Sequence, residues 1–422
     1  MQVVTNSRKA LGHNVLFQYG LQIAKYLFPF ITLPYLTRVL GPEVYAVRAY
    51  ILAAMTFMQV LLDYGFNSFG TKAIAECSSD RARIGFETSR IVLLRGALVV
   101  VGAVLLAAVT PFVTIMAENP AYVAIAYAGI CFKATLPDFV FQGLEDMGII
   151  TKRFVVSQTV ATVLTFVLVR NPQDLLWVPA LEGLASFIAF AWSWDNVLRV
   201  RKIAIVRVGA GDLLFGFRQS TVFFLSNAAT TVFTALTTLM IGIFISDPAE
   251  VSYWSVAMTA ITAIQSLYTP ITNSLYPHMV KRRDFALLKR LLIVGMAAVS
   301  VGSIAFACLS DVVMWILGGE QFVGGSYVVA MVSPVLWFSY PAMLLGFPVL
   351  AAVGQVRQLT VSSTVSALFH ILGLAFLAFG GWLTIANVAV LRCLTEAVML
   401  GLRVFYVARY FGEHDDGKAF QQ

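Results

Sequence analysis

Long apolar runs alternate along the chain with short segments that are polar or rich in glycine and proline. About 20 apolar residues cover the hydrocarbon core of a bilayer as one helix. By that measure spans fall near 13–36, 44–66, 91–112, 121–142, 154–170 and 176–197. A second set falls near 218–244, 252–276, 291–316, 327–350, 358–379 and 383–407, and Arg170-Asn171-Pro172 ends the fifth span early. The pattern predicts an all-α integral membrane protein of about twelve transmembrane helices.

The two sets of six are related. A shift of 206 residues lays GPEVYAVRAYILAAMTFMQVLLDYGFNSF over DPAEVSYWSVAMTAITAIQSLYTPITNSL. Pro42 then meets Pro248, Ala54 meets Ala260, Thr56 meets Thr262 and Gln59 meets Gln265, and Asn67-Ser68 meets Asn273-Ser274. The offset is close to half the chain, and both copies begin just before an even-numbered span. Two six-helix lobes, 1–205 and 206–410, are therefore expected, with 411–422 as a cytoplasmic tail. Parallel repeats of this kind place a pseudo-twofold along the membrane normal and a central cavity between the lobes.

Polar residues inside the spans are not scattered. Asn14, Gln18, Gln22, Lys25, Pro29 and Thr32 are spaced four, four, three, four and three apart, which keeps them on one helix face. A lysine at mid-membrane costs about 2.5–3.5 kcal/mol on insertion scales. The face that carries Lys25 must therefore meet another helix, a counter-charge or water. Span two carries Thr56, Gln59, Asp63 and Asn67, and span seven carries Asn227, Thr231, Thr234 and Thr238. Span eight carries Thr259, Thr262, Ser266, Thr269 and Asn273, with Gln265 beside them. Rows of hydroxyls alone point to helix packing. The stripes of spans one, two and eight, which hold amides and charges, point to a cavity wall.

The other intramembrane charges read differently. Arg392 and Glu396 are four apart and suit a structural ion pair within one helix. Lys133 and Asp138 are five apart and are not expected to pair, so either can face the cavity. Glu182 shares a face with Ser186 and Ser193 and is either protonated or paired to Lys25 or Lys133, while Asp63 lies near the cytoplasmic end of its span, where solvation is cheap and a surface role stands beside a functional one. Arg48 is a charge at the start of span two.

Composition removes whole classes of function. The 422 residues are 59% hydrophobic and 12% charged, and the mean hydropathy is +0.82, so lipid is the solvent. The net charge of +7 reflects topology rather than nucleic-acid binding. With the N-terminus in the cytoplasm, twenty Lys and Arg fall in segments on that side, among them Arg90, Lys152, Arg153 and Arg283, against Arg38, Arg48 and Arg170 opposite. That bias places both termini inside. Arg8 and Lys9 run straight into an apolar span with no small-residue cleavage site, so no removable signal peptide is expected. Cys77, Cys131, Cys308 and Cys393 are far apart and the four histidines lack ligand spacing, so neither a metal site nor a cofactor is expected. No P-loop, HExxH or GxSxG occurs, and the short outer loops argue against a glycosyltransferase or polymerase. A non-enzymatic transporter remains.

Three stretches carry a resemblance. PYLTRVLGPEVYAVRAY (34–50), DYGFNSFGTKAIAE (63–76) and PDFVFQGLEDM (137–147) resemble motifs of the polysaccharide-transporter family of lipid-linked oligosaccharide flippases, which includes the O-antigen flippases. SLYPHMVKRRD (274–284) is a weaker match. That family sits in the multidrug/oligosaccharidyl-lipid/polysaccharide superfamily, with the drug antiporters and the lipid II flippase. Ala46, Arg48 and Asp138 depart from the family pattern.

The resemblance implies movement of undecaprenyl-pyrophosphate-linked oligosaccharide from the cytoplasmic to the outer face of a bacterial inner membrane by alternating access. Membrane lipids, a polysaccharide polymerase and chain-length machinery are the implied partners. On that reading Lys25 offsets the pyrophosphate charge, and Gln18, Gln22, Gln59 and the threonines serve sugar hydroxyls. Two alternatives stand beside it, an ion-coupled drug antiporter of the same superfamily and a non-transporting scaffold for a polymerase. Lys25→Ala and Lys25→Glu are expected to fail in complementing a flippase-null strain, and Lys25→Arg to succeed. Full complementation by all three shows that the charge is not needed.

Overall fold

The computed structural model describes residues 2–231 and 235–414, with side chains outside that description at 2–16, 222, 223, 225–231, 277, 281, 282, 413 and 414. The stripe residues Asn14, Asn227, Thr231 and Thr234 thus lie outside the described residues or side chains. All regular structure among the described residues is helical. Among the described residues eight segments are long and apolar enough to cross a membrane, which makes this a multi-pass membrane protein. One of them, Phe17–Glu76, takes in the second predicted span and all of the first from residue 17 on. The chain divides into two compact units, Met1–Thr231 and Val232–Gln422.

In the first unit α1 (Gln2–Asp63) is two arms joined at Gly41, whose φ of 71° belongs to the left-handed region that glycine enters at no steric cost. Pro42 restarts the helix, since its missing N–H is no loss in a first turn. After a turn at Tyr64-Gly65 comes α2 (Phe66–Glu76), and then α3 (Arg81–Val109), capped by the Asp80 carboxylate. The short α4 (Thr114–Glu118) leads to α5 (Pro120–Ala134). A break separates α5 from α6 (Asp138–Gly143); α7 (Met147–Leu168), α8 (Trp177–Asp195) and α9 (Ala210–Thr231) complete the unit.

Two of the motif stretches meet. DYGFNSFGTKAIAE is α2 with the turn before it, PDFVFQGLEDM is α6 with its flanks, and the two helices pack together. Phe66, Phe69 and Ile74 bury against Phe139, Val140 and Phe141, with Ile91 from α3 closing the cluster. The Gln142 amide oxygen accepts from Asn67 and from the Thr71 hydroxyl at 3.3 and 3.1 Å. Glycines permit the approach. A Cβ on Gly143 sits 2.7 Å from Ile74 Cβ and 2.9 Å from the Thr71 carbonyl, and one on Gly70 sits 2.4 Å from Ile91 Cδ1.

The second unit opens with α10 (Thr237–Phe244) and α11 (Pro248–Ser266), and Leu267-Tyr268 interrupt the chain before α12 (Thr269–Arg282). Then come α13 (Phe285–Cys308), α14 (Ser310–Gly318), α15 (Ser326–Val332) and α16 (Pro334–Leu344). A π-turn at Leu345–Ala351 leads to α17 (Val356–Phe379) and α18 (Ile385–His414). Ile293, Val294, Val301 and Ile304 are exposed on α13, whose most apolar window is only 6% buried. An apolar face of that extent is stable only against lipid. At the start of α13, the Leu287 amide and then His278 hold the Asp284 carboxyl below the usual carboxylate range.

A helix break frees backbone carbonyls, which away from water need a donor. At the α5–α6 break Arg95 Nη1 donates to the Leu136 carbonyl at 2.7 Å, and Trp194 Nε1 to the Thr135 carbonyl at 3.2 Å. Where α16 gives way to the π-turn, Arg403 Nη1 donates to the Ala342 carbonyl at 2.5 Å.

Gly143→Ala is expected to destabilise the protein by about 1–3 kcal/mol through overpacking, read as a lower midpoint of thermal unfolding in detergent. Gly96→Ala, with open space at its Cβ, serves as the control and should not lower the midpoint.

Candidate functional site

The first arm of α1 is anchored on one side only. Tyr35 donates to the Val169 carbonyl at 2.7 Å, the Thr151 hydroxyl to the Phe17 carbonyl at 2.9 Å, and Phe28 meets Phe154 edge-on at 6.3 Å. With α7 occupying that side, Gln18, Gln22 and Lys25 remain exposed. Lys25 has no hydrogen bond or ion pair to a described residue. Pro29 lies one turn on, and with no N–H to give it leaves the Lys25 carbonyl without its helical partner. One position thus presents both a cation and a free acceptor.

Three other elements bring charges to the same unit. Arg48, on the second arm, donates from Nη2 to Glu182 Oε1 of α8 at 3.0 Å and from Nη1 to the Tyr45 hydroxyl at 3.2 Å. Its guanidinium also lies 5.5 Å from the Tyr45 ring centroid. Lys133 occupies the last turn of α5, the helix end whose partial negative charge favours a cation. The helices α5 and α8 approach so closely that a Cβ on Gly129 sits 3.0 Å from Gly183 Cα, and Glu182 adjoins that contact. Lys133 is exposed and lies within electrostatic reach of Glu182 and Lys25. Tyr122, within electrostatic reach of Arg48 and Glu182, also lines a cavity of about 470 Å³ with Glu43, Val47 and Gln173.

Two further intramembrane carboxylates, Asp63 and Asp138, are engaged elsewhere, while Glu43 and Glu118 line the cavity beside Tyr122. Asp63, expected to be solvated, accepts from Arg95 Nη2 at 2.5 Å, and Asp138 is paired with Arg153. Both arginines are buried, at 3% and 2% exposure, and each has a second bond, Arg95 to Leu136 and Arg153 to the Ser193 hydroxyl. Glu182, expected beside Lys25 or Lys133, is bonded to Arg48 instead. Gln59 is half-buried on the second arm. Of the intramembrane charges expected at a cavity, Lys25, Arg48, Lys133 and Glu182 are thus left outside the arginine ties of Asp63 and Asp138.

Sequence reasoning had no role for Arg95 or Arg403, and it read Arg90 and Arg153 as loop charges. Arg90 is buried, paired with Glu87 and set against the rings of Phe69, Phe86 and Phe215. The available signal was a charge within or beside an apolar run, which does not say whether a partner exists.

Thr262 and Gln265 belong to the second unit. Thr262 is exposed with its hydroxyl donating to the Met258 carbonyl at 2.8 Å, and Gln265 is half-buried. Arg392 Nη2 donates to Glu396 Oε1 at 2.6 Å, and buried His370 bridges the Thr237 and Thr395 hydroxyls at 2.8 and 2.9 Å. These groups tie α10, α17 and α18 together. Among the described residues no cluster of three His, Cys, Asp or Glu side chains suits a metal ion.

A family model described as polysaccharide biosynthesis protein matches residues 11–282. A curated protein of Shigella dysenteriae named "Putative O-antigen transporter" is 27% identical over 329 residues, covering 75% of this chain and 81% of its own. Among solved structures, an inward-facing multidrug resistance MATE family transporter aligns with a TM-score of 0.75 at 12% identity, over 94% of this chain and 96% of its own. The lipid II flippase MurJ in an inward closed conformation aligns at 0.73 and 13% identity, over 93% and 87%. Identities this low establish a shared fold and nothing more.

Removing one member of a buried ion pair strands the other. Arg95→Gln is expected to destabilise the protein by about 3 kcal/mol, and adding Asp63→Asn to recover much of that loss. Additive losses in thermal unfolding of the single and double variants would show that the pair carries no coupling.

Proposed function

Because the chain belongs to the polysaccharide biosynthesis protein family, we propose that it flips undecaprenyl-pyrophosphate-linked oligosaccharide from the cytoplasmic to the outer face of a bacterial inner membrane. The named relatives are transporters, and this chain is a membrane transporter of polysaccharide biosynthesis rather than an enzyme. The finer reading rests on one observation. With Asp63 and Asp138 bound by Arg95 and Arg153, the candidate intramembrane charges left to a substrate path are Lys25, Arg48 and Lys133 with Glu182. Two unit charges 4 Å apart gain about 4 kcal/mol at an effective dielectric of 20, so such a set favours a pyrophosphate and disfavours a cationic drug.

In this mechanism the pyrophosphate meets Lys25, Arg48 and Lys133. Gln18, Gln22 and Gln59, with Thr262 and Gln265 of the second lobe, exchange hydrogen bonds with sugar hydroxyls as water is lost. The polyprenyl tail stays in lipid. The two six-helix lobes alternate in opening a central cavity to either face, with both termini in the cytoplasm as the loop charges require. Polymerase and chain-length proteins act on the delivered repeat unit.

Deleting the gene, in a strain without a redundant flippase, is expected to build up lipid-linked glycan at the cytoplasmic face. Wild type should relieve the build-up and Lys25→Ala should not. Normal export in the deletion strain overturns the reading and favours the drug antiporter.

A further inference from the structure

Glu182 is held unlike Asp63 and Asp138, the two other candidate carboxylates within the spans of its unit. Asp63 and Asp138 lie against arginines that are almost fully buried and doubly bonded. Glu182 keeps 52% of its side chain exposed and is tied by one hydrogen bond from Arg48 at 3.0 Å. Arg48, by contrast, is immobilised. Tyr45 stacks on it and accepts a second bond, and its buried Nε has no hydrogen-bond partner. A fixed guanidinium with an unused donor, facing a loosely tied and accessible carboxylate, makes an exchangeable pair. Lys133 senses the same carboxylate as an attraction and Lys25 as a repulsion.

We propose that Glu182 is a built-in counter-anion that occupies Arg48 in the empty site and yields it to the substrate pyrophosphate. The inference rests on the flippase reading above. Three clustered cations without a carboxylate repel one another and hold a pyrophosphate too tightly to release it, whereas transport requires binding that is reversible. A tethered monoanion lowers the affinity, and it returns to the cations as the substrate leaves. It also sets specificity. A multiply charged pyrophosphate displaces one carboxylate, while the singly charged phosphodiester of a bulk phospholipid gains little over it, so abundant membrane lipid is kept off the cations.

The test uses the full-length protein in detergent with farnesyl pyrophosphate as probe, together with glycan export in the deletion strain. Glu182→Gln should bind the probe about tenfold tighter, as expected when one competing charge is removed, while export falls. Glu182→Asp, which keeps the charge, should bind as wild type and retain export. Glu182→Ala repeats the first arm should the glutamine variant fail to fold. Unchanged or weaker binding by folded Glu182→Gln and Glu182→Ala overturns the proposal, leaving Glu182 as a structural tie between α1 and α8. Absence of probe binding by wild type and all variants overturns the lipid-pyrophosphate reading and the counter-anion with it.

Discussion

A guanidinium buried away from water must have its charge and its N–H groups answered from within the protein. That requirement organises both units. Arg95, Arg153 and Arg403 are almost fully buried, and each links elements that are distant in sequence. Arg95 takes Asp63 from the end of α1 and the Leu136 carbonyl from the α5–α6 break. Arg153 takes Asp138 and Ser193. Arg403 takes the Ala342 carbonyl and the hydroxyls of Ser362 and Ser363. Each arginine allows a helix to break or a carboxylate to be buried where lipid alone would forbid it.

The same pairs decide the electrostatics of the polar cluster. Counted along the chain, the intramembrane candidates of the first half, Lys25, Arg48 and Lys133 against Asp63, Asp138 and Glu182, are mixed in sign, which suits neither an anion path nor a cation path. Once Asp63 and Asp138 are bound by arginines, the cluster that remains is cationic. Structural ion pairing and substrate electrostatics are therefore one problem here, since an arginine that stabilises the fold also withdraws a carboxylate from the site.

The family motifs and the polar cluster occupy different places. DYGFNSFGTKAIAE and PDFVFQGLEDM form the interlocked α2–α6 contact, where glycines meet aromatic rings and a glutamine closes the seam. Their role in the structure is packing. The residues that departed from the family pattern, Arg48 and Asp138, are both partners in ion pairs. Arg48 belongs to the cationic cluster, so a residue unusual for the family lies where substrate selectivity is set in the proposed mechanism.

Hydrophobic runs were enough to read an all-α membrane protein, because lipid admits only segments that satisfy their own backbone. The helical spacing of Gln18, Gln22 and Lys25 was likewise legible, and α7 covers the opposite side of that arm, leaving the stripe accessible. The gap between spans one and two was legible as well, and Gly41 makes the bend within it. Which charges pair was not legible. Arg95 meets Asp63 across 32 residues and Arg48 meets Glu182 across 134, and no periodicity within one helix encodes a partner on another. Nor could the sequence distinguish Arg153 as a buried tie from a loop cation, because only the packing of α7 against its neighbours removes it from solvent. Local pattern determined the elements and their faces; the pairing of charges, and with it the sign of the polar cluster, was decided by helices meeting in three dimensions, where a buried charge must find its partner.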